Sequence, residues 1–85
     1  MSLRNHTYKD VTKVLKFFGF KPVRQKGSHV IWEHLDGRFT VVPNHGNKPI
    51  KEGLLADILL KTEIARNDFL NIISGKKISN NSKKY

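Results

Sequence analysis

Residues 23–42 read VRQKGSHVIWEHLDGRFTVV, three short β-patterned runs separated by two glycine-containing turns. The runs at 23–26, 29–35 and 38–42 are rich in β-branched and aromatic side chains, which suit a pleated, half-buried surface. Gly27-Ser28 and Asp36-Gly37 lie between them. Asp-Gly is a strong two-residue hairpin signal because both central positions accept positive φ. The stretch therefore predicts a three-stranded antiparallel meander. Alternation sets His29, Ile31, Glu33 and Leu35 on one side of the middle strand, and Val30, Trp32 and His34 on the other. Neither side is cleanly polar, so parity alone leaves the buried face open. Trp32 and His34 read either as ligand-facing groups or as ordinary cross-strand pairs.

Helical patterns flank the meander. Thr7 followed three residues later by Asp10 resembles a capping box, in which a hydroxyl and a carboxylate satisfy exposed backbone N–H groups. Val11, Val14, Leu15 and Phe18 then recur at helical spacing, while Lys9, Lys13 and Lys16 fall mostly off that face. Gly19 offers a left-handed stop, with Phe20 as the hydrophobe that often follows one. Phe17, Phe18 and Phe20 read as core, with nucleobase stacking as the other reading. Pro43 closes the third run, and residues 44–49 form a polar loop holding His45 and Lys48. A second helix is expected over 51–62, with Leu54, Leu55, Ile58 and Leu59 as its apolar stripe. Gly53 in its first turn costs about 0.5–1 kcal/mol relative to alanine, which suggests close packing or close ligand approach. Phe69, Leu70, Ile72 and Ile73 mark a third helical segment over 66–73. The expected order is α-β-β-β-α-α, an α+β fold.

Eighty-five residues suffice for one domain, and a domain so small buries only about 60% of its unfolded surface, so most large hydrophobes are needed inside. The expected organisation is a domain over 1–75 and a basic tail over 76–85. The stretch from Ser74 onward is rich in Lys, Ser and Asn with one strong hydrophobe, Ile78, a composition that cannot repay ordering entropy. It reads as a solvated end or as an extra RNA contact. Sixteen Lys and Arg against seven Asp and Glu give a net charge of +9 and a pI of about 10.1. Setting aside Lys76, Lys77, Lys83 and Lys84 leaves twelve basic residues against seven acidic, so the body itself is basic. That balance favours a polyanion, nucleic acid first. The absence of cysteine removes disulfides and thiolate metal sites and fits a reducing compartment. No apolar run reaches the roughly 18 residues of a membrane helix, nor is there the apolar block of a secretory signal. The expectation is a cytoplasmic protein with no membrane partner.

Lys26-Gly27-Ser28-His29 carries the chemistry. Glycine permits close backbone approach to a ligand, and consecutive turn amides form an anion-binding nest. A histidine has the one unperturbed pKa, roughly 6.5, suited to proton transfer near neutrality. Lys21 and Arg24 crowd the same corner. If an RNA held at this turn is to be cut without a metal, the reaction needs a base for the 2′-hydroxyl proton, donors for the charge at phosphorus and an acid for the leaving oxygen. His29 is the candidate base, and Lys26, Ser28 and the Gly27 and Ser28 amides are candidate donors. His45 is the candidate second proton donor if its loop folds back over the turn; a structural hydrogen bond is its other reading. His29, His34 and His45 lack a tight metal-ligand spacing such as His-x-x-x-His, so no metal and no cofactor are expected.

The ordered set Phe18-Gly19-Phe20, Lys26-Gly27-Ser28-His29 with Val30-Ile31-Trp32, Val41-Val42-Pro43-Asn44-His45 and Ile50-Lys51-Glu52-Gly53-Leu54-Leu55 resembles HicA-type toxins. These are the small mRNA interferases of HicA–HicB toxin–antitoxin systems. The resemblance runs from about Tyr8 to Ile73. It implies a fold similar to a double-stranded-RNA-binding domain, a three-stranded antiparallel sheet packed against two helices plus a short C-terminal helix. It further implies a growth-inhibiting, metal-independent endoribonuclease with His29 catalytic, and RNA contacts at Lys21, Arg24, Lys26, Gly27, Ser28 and Lys48. Its partners would be mRNA and a HicB-like antitoxin. Two positions depart from the family's pattern: Ala65 stands where a serine or threonine often caps the last helix, and Gly53-Leu54 where a Gly-Thr pair is common. A non-catalytic RNA-binding module of the same fold, and an interaction protein docking an acidic partner, are the competing readings.

Overall fold

Helix α1, Tyr8–Phe17, begins where Thr7 leaves helical geometry, its side chain accepting from the Asp10 N–H while the Asp10 carboxylate accepts from the Thr7 N–H at 3.0 Å. This reciprocal cap is the one expected from residues 7–10. The helix ends on Gly19 at φ +91°, where Phe20 N–H donates to the Leu15 carbonyl at 2.9 Å and Gly19 N–H to that of Lys16 at 3.0 Å. This pair of bonds is a Schellman closure, and it delivers the Phe20 ring to the core. The computed structural model describes residues 2–75. The basic tail expected over 76–85 lies outside the described residues.

The chain then forms β1 (Lys21–Lys26), β2 (His29–Glu33) and β3 (Phe39–Pro43), paired antiparallel in the order β1-β2-β3. β1 begins two residues earlier than residues 23–26 suggest, and Pro22 is tolerated because β1 is an edge strand. A register shift between Pro22 and Arg24 absorbs Val23 as a bulge. β2 stops at Glu33, and residues 34–38 form a loop closed at its base by the His34 N–H on the Arg38 carbonyl at 2.9 Å, so three residues, 35–37, turn the chain rather than the two expected at Asp36-Gly37. The side chains explain the longer loop: Asp36 N–H donates to His34 Nδ1 at 3.0 Å, and the Asp36 carboxylate accepts from the Arg38 backbone and from its Nε. These local bonds compete with continued strand pairing.

Helix α2 (Glu52–Thr62) packs on β3, and α3 (Arg66–Ile73) packs on α1. The middle strand's parity is resolved by burial: Val30 and Trp32 face the helices, opposite Val42 and Thr40, and all four are buried. The Trp32 indole N–H donates to the Tyr8 hydroxyl at 3.3 Å, so Trp32 is core. His34 sits in the loop, its ring edge-on to Phe20. Phe17 and Phe18 are half-buried against the core.

Two expectations about α2 are corrected. Its buried stripe is Leu55, Ile58, Leu59 and Thr62, whereas Leu54, about 100° around the helix from Leu55, is exposed. Thr62 enters the core because its hydroxyl donates back to the Ile58 carbonyl at 2.8 Å. At Gly53 an added Cβ would meet no atom within 4 Å, so the glycine serves no close packing. The N-terminal segment also joins the core: Leu3 is 1% exposed, and the Ile50 N–H donates to the His6 carbonyl at 2.8 Å.

Candidate active site

The turn between β1 and β2 holds two residues, Gly27 and Ser28, with Lys26 directly opposite His29. Gly27 has φ +61° and Ser28 does not share a positive φ, the pattern of a II′ turn, which takes glycine at its first central position. The Gly27 carbonyl accepts from the Gln25 side chain at 3.0 Å, which braces the turn from within β1. On the other side the Ser28 carbonyl accepts from the Asn44 N–H at 2.6 Å. That bond, with His29 paired to Pro43, fastens the start of the loop after β3 alongside the turn. These contacts bring the chain at Asn44 alongside the turn, and His45 follows it as an exposed residue of the loop.

The four histidines divide by what holds them. His6 Nε2 lies 3.0 Å from the Ser2 carbonyl and its ring meets Phe69 edge-on. His34 is held by the Asp36 N–H and by Phe20. The rings of His29 and His45 are exposed and make no hydrogen bond among the described residues. Two histidines thus serve the scaffold, and the two beside the turn are free to meet a ligand. His34 sits past the opposite end of β2 from His29. Among the described residues no three His, Cys, Asp or Glu side chains gather in a way that could hold a metal.

Residues paired across an antiparallel ladder share a face. The register therefore lays Lys26, His29 and Pro43 in one row of the outer face, Arg24, Ile31 and Val41 in the next, and Lys21, Glu33 and Phe39 in a third. Lys21, Arg24 and Lys26, singled out from the sequence, fall with His29 on the side away from the helices. Glu33 is the one acidic residue in the three strands. Lys48 lies on the His45 loop, whose turn is closed by the Lys48 N–H on the His45 carbonyl at 3.2 Å. It is adjacent to the turn by connection and absent from the sheet's rows.

Sequence reading missed the apolar half of this face. Phe39 and Val41 are exposed on β3, and with Leu54 of α2 they line a groove that Arg38 and the Asp57–Lys61 ion pair border. The signal was the alternation of β3, unreadable until the buried parity of β2 was known. It also missed Arg38, whose guanidinium holds Asp36, lies 5.1 Å from the Phe20 ring and donates to the Thr62 carbonyl at the end of α2. Arg38 thereby fixes the far end of the sheet to the helix C-terminus.

The family described as the HicA toxin of bacterial toxin–antitoxin systems matches residues 8–64, more than half of the 85-residue chain. The chain belongs to the HicA toxin family. A comparison with curated proteins finds no match. The matched span runs from the first residue of α1 through the αL closure of α2 and contains the whole sheet, the turn and the His45 loop. The α3 helix lies beyond it. The chain is accordingly a toxin of a toxin–antitoxin pair, and an antitoxin partner follows from that membership. No helix among the described residues is long and apolar enough to cross a membrane.

Proposed function

We propose that this toxin is an endoribonuclease that cleaves mRNA at the β1–β2 turn, with His29 as general base. The observation that carries the reading is an exposed His29 ring without a structural partner, directly opposite Lys26 and on the same face as Arg24 and Lys21. In the proposed reaction His29 takes the proton of a ribose 2′-hydroxyl, and the 2′-oxygen attacks the adjacent phosphorus. The bond from phosphorus to the 5′-oxygen breaks, and His45 returns a proton to that oxygen. The products carry a 2′,3′-cyclic phosphate and a 5′-hydroxyl. Charge on the equatorial oxygens is met by Lys26, the Ser28 hydroxyl and the Gly27 and Ser28 amides. Lys21, Arg24 and Lys48 bind flanking phosphates. Every step uses groups of this chain, and none calls for a metal or cofactor.

We further infer that the antitoxin is HicB-like and silences the toxin by covering Gly27, Ser28 and His29. An acidic surface that mimics RNA is attracted to the same cations, and its bulk excludes substrate. Expression in cells with and without the antitoxin tests the reading. Growth arrest and loss of intact mRNA are expected for wild type alone, and neither for His29→Ala or for wild type with antitoxin. Arrest by His29→Ala with mRNA left intact would favour a non-catalytic RNA-binding module.

A further inference from the structure

The outer face of the sheet is divided lengthwise. Its β1 margin is cationic, with Lys21, Arg24 and Lys26, and its β3 margin is apolar, with Val41 and Phe39. Between them lie Ile31 and, in the row that joins Lys21 to Phe39, the exposed Glu33, whose carboxylate turns a phosphate toward β1 and leaves the Phe39 end to a base. Phe39 is 56% exposed in a domain that can spare few large hydrophobes from its core. Phe39 and Val41 also open on the groove shared with Leu54, a space of about 450 Å³ between the β3 edge and α2. Arg38, Asp57 and Lys61 also line that groove, Lys61 paired with Asp57 at 3.2 Å and Arg38 with Asp36 at 2.9 Å, so the cations for the backbone are those of β1. A duplex is gripped through phosphates and 2′-hydroxyls across its minor groove, and its stacked bases have no use for an exposed ring. A single strand presents both things this face supplies for: phosphates for a line of cations, and splayed bases for an aromatic platform.

We propose that the substrate is single-stranded RNA lying across this outer face, its backbone along the β1 cations and one of its bases stacked on Phe39. The proposal rests on the ribonuclease reading and adds the class and path of the substrate. Phe39 is four residues along β3 from Pro43, the residue opposite His29, or about 14 Å at 3.4 Å per residue. The stacked base is thus held at a fixed distance from the bond to be cut. Phe39 acts as a binding residue that sets register on the strand.

A labelled single-stranded RNA of about 12 nucleotides is titrated into the His29→Ala protein, which keeps the RNA intact. Adding Phe39→Ala should weaken binding about 5- to 140-fold, the range for loss of one stacked base. The slope of log affinity against log salt should not change, because no cation is removed. Phe39→Trp should keep the affinity, and its new indole should be quenched by RNA, whereas native Trp32 is buried. Equal affinity with and without Phe39→Ala would overturn the proposal, as would tighter binding of the matching duplex. Loss of antitoxin binding alone in Phe39→Ala would also overturn it and make the face a protein-docking surface. Cleavage separates the two claims. If wild type cuts RNA and Phe39→Ala cuts with the same kcat/KM, the path fails and the ribonuclease reading stands. If wild type binds single strands in a Phe39-dependent way and cuts nothing, the path stands and the reading fails.

Discussion

Asp36 is the side chain whose ionisation the fold disturbs most visibly. Its carboxylate accepts from the Arg38 side chain and then from the Arg38 backbone N–H, and these bonds hold its pKa down from 3.8 to about 2. Because the folded pKa is depressed, the stability contributed by the charged form is present above about pH 4 and is lost as pH falls toward 2. An NMR titration of the Asp36 carboxyl should give a midpoint near 2, and Arg38→Ala should return it toward 3.8. A midpoint at 3.8 in the wild type would contradict the Arg38 contact. The same loop shows what sequence reading could not reach. Asp-Gly signals a two-residue turn, but the His34 ring and the Arg38 guanidinium supply competing local bonds that appear only once the chain has turned. The Gly27-Ser28 turn that sets the position of His29 was legible because it is made of adjacent residues. The division of the four histidines into scaffold and free pairs was not, since Ser2, Phe20 and Phe69 come to them through the fold.

At the scale of elements, α2 ends without the residue its geometry asks for. Glu63 sits at φ +58°, and its N–H and that of Ile64 close back on the Leu60 and Leu59 carbonyls. The left-handed conformation costs a side-chain-bearing residue about 1–2 kcal/mol, of which glycine would recover part after its own entropic cost. Glu63→Gly should therefore stabilise the fold by about 0.5–1 kcal/mol, read as a rise of several degrees in Tm for a domain of this size. An unchanged or lower Tm would show that Glu63 makes up its strain elsewhere. The element order, the α1 cap and the extent of α3 were legible because each rests on near neighbours in sequence. Leu3 was not, being a lone hydrophobe in a polar stretch that reaches the core through the His6–Ile50 backbone bond. Leu54 was assigned to the core because a four-residue apolar cluster is wider than the face one sheet can cover. Its exposure places it against Phe39 and Val41.

Over the whole molecule, two layers divide the labour: the helices and the inner sheet face hold the core, and the outer face carries Lys21, Arg24 and Lys26 with His29. On a chain of charge +9 this arrangement makes RNA affinity fall steeply with salt as counterions leave the phosphates. Replacing Lys21, Arg24 and Lys26 together by alanine should lower the log–log slope by about 2, at roughly 0.7 per phosphate contact on a single strand. An unchanged slope would put the RNA path on another surface. The most direct measurement of the central claim is the rate at which purified wild type and His29→Ala cut single-stranded RNA, with product ends identified. The account predicts a loss of roughly 10²–10⁴ in rate for His29→Ala, cyclic phosphate ends from the wild type, and RNA binding retained by the variant. Cleavage by His29→Ala at the wild-type rate would contradict it.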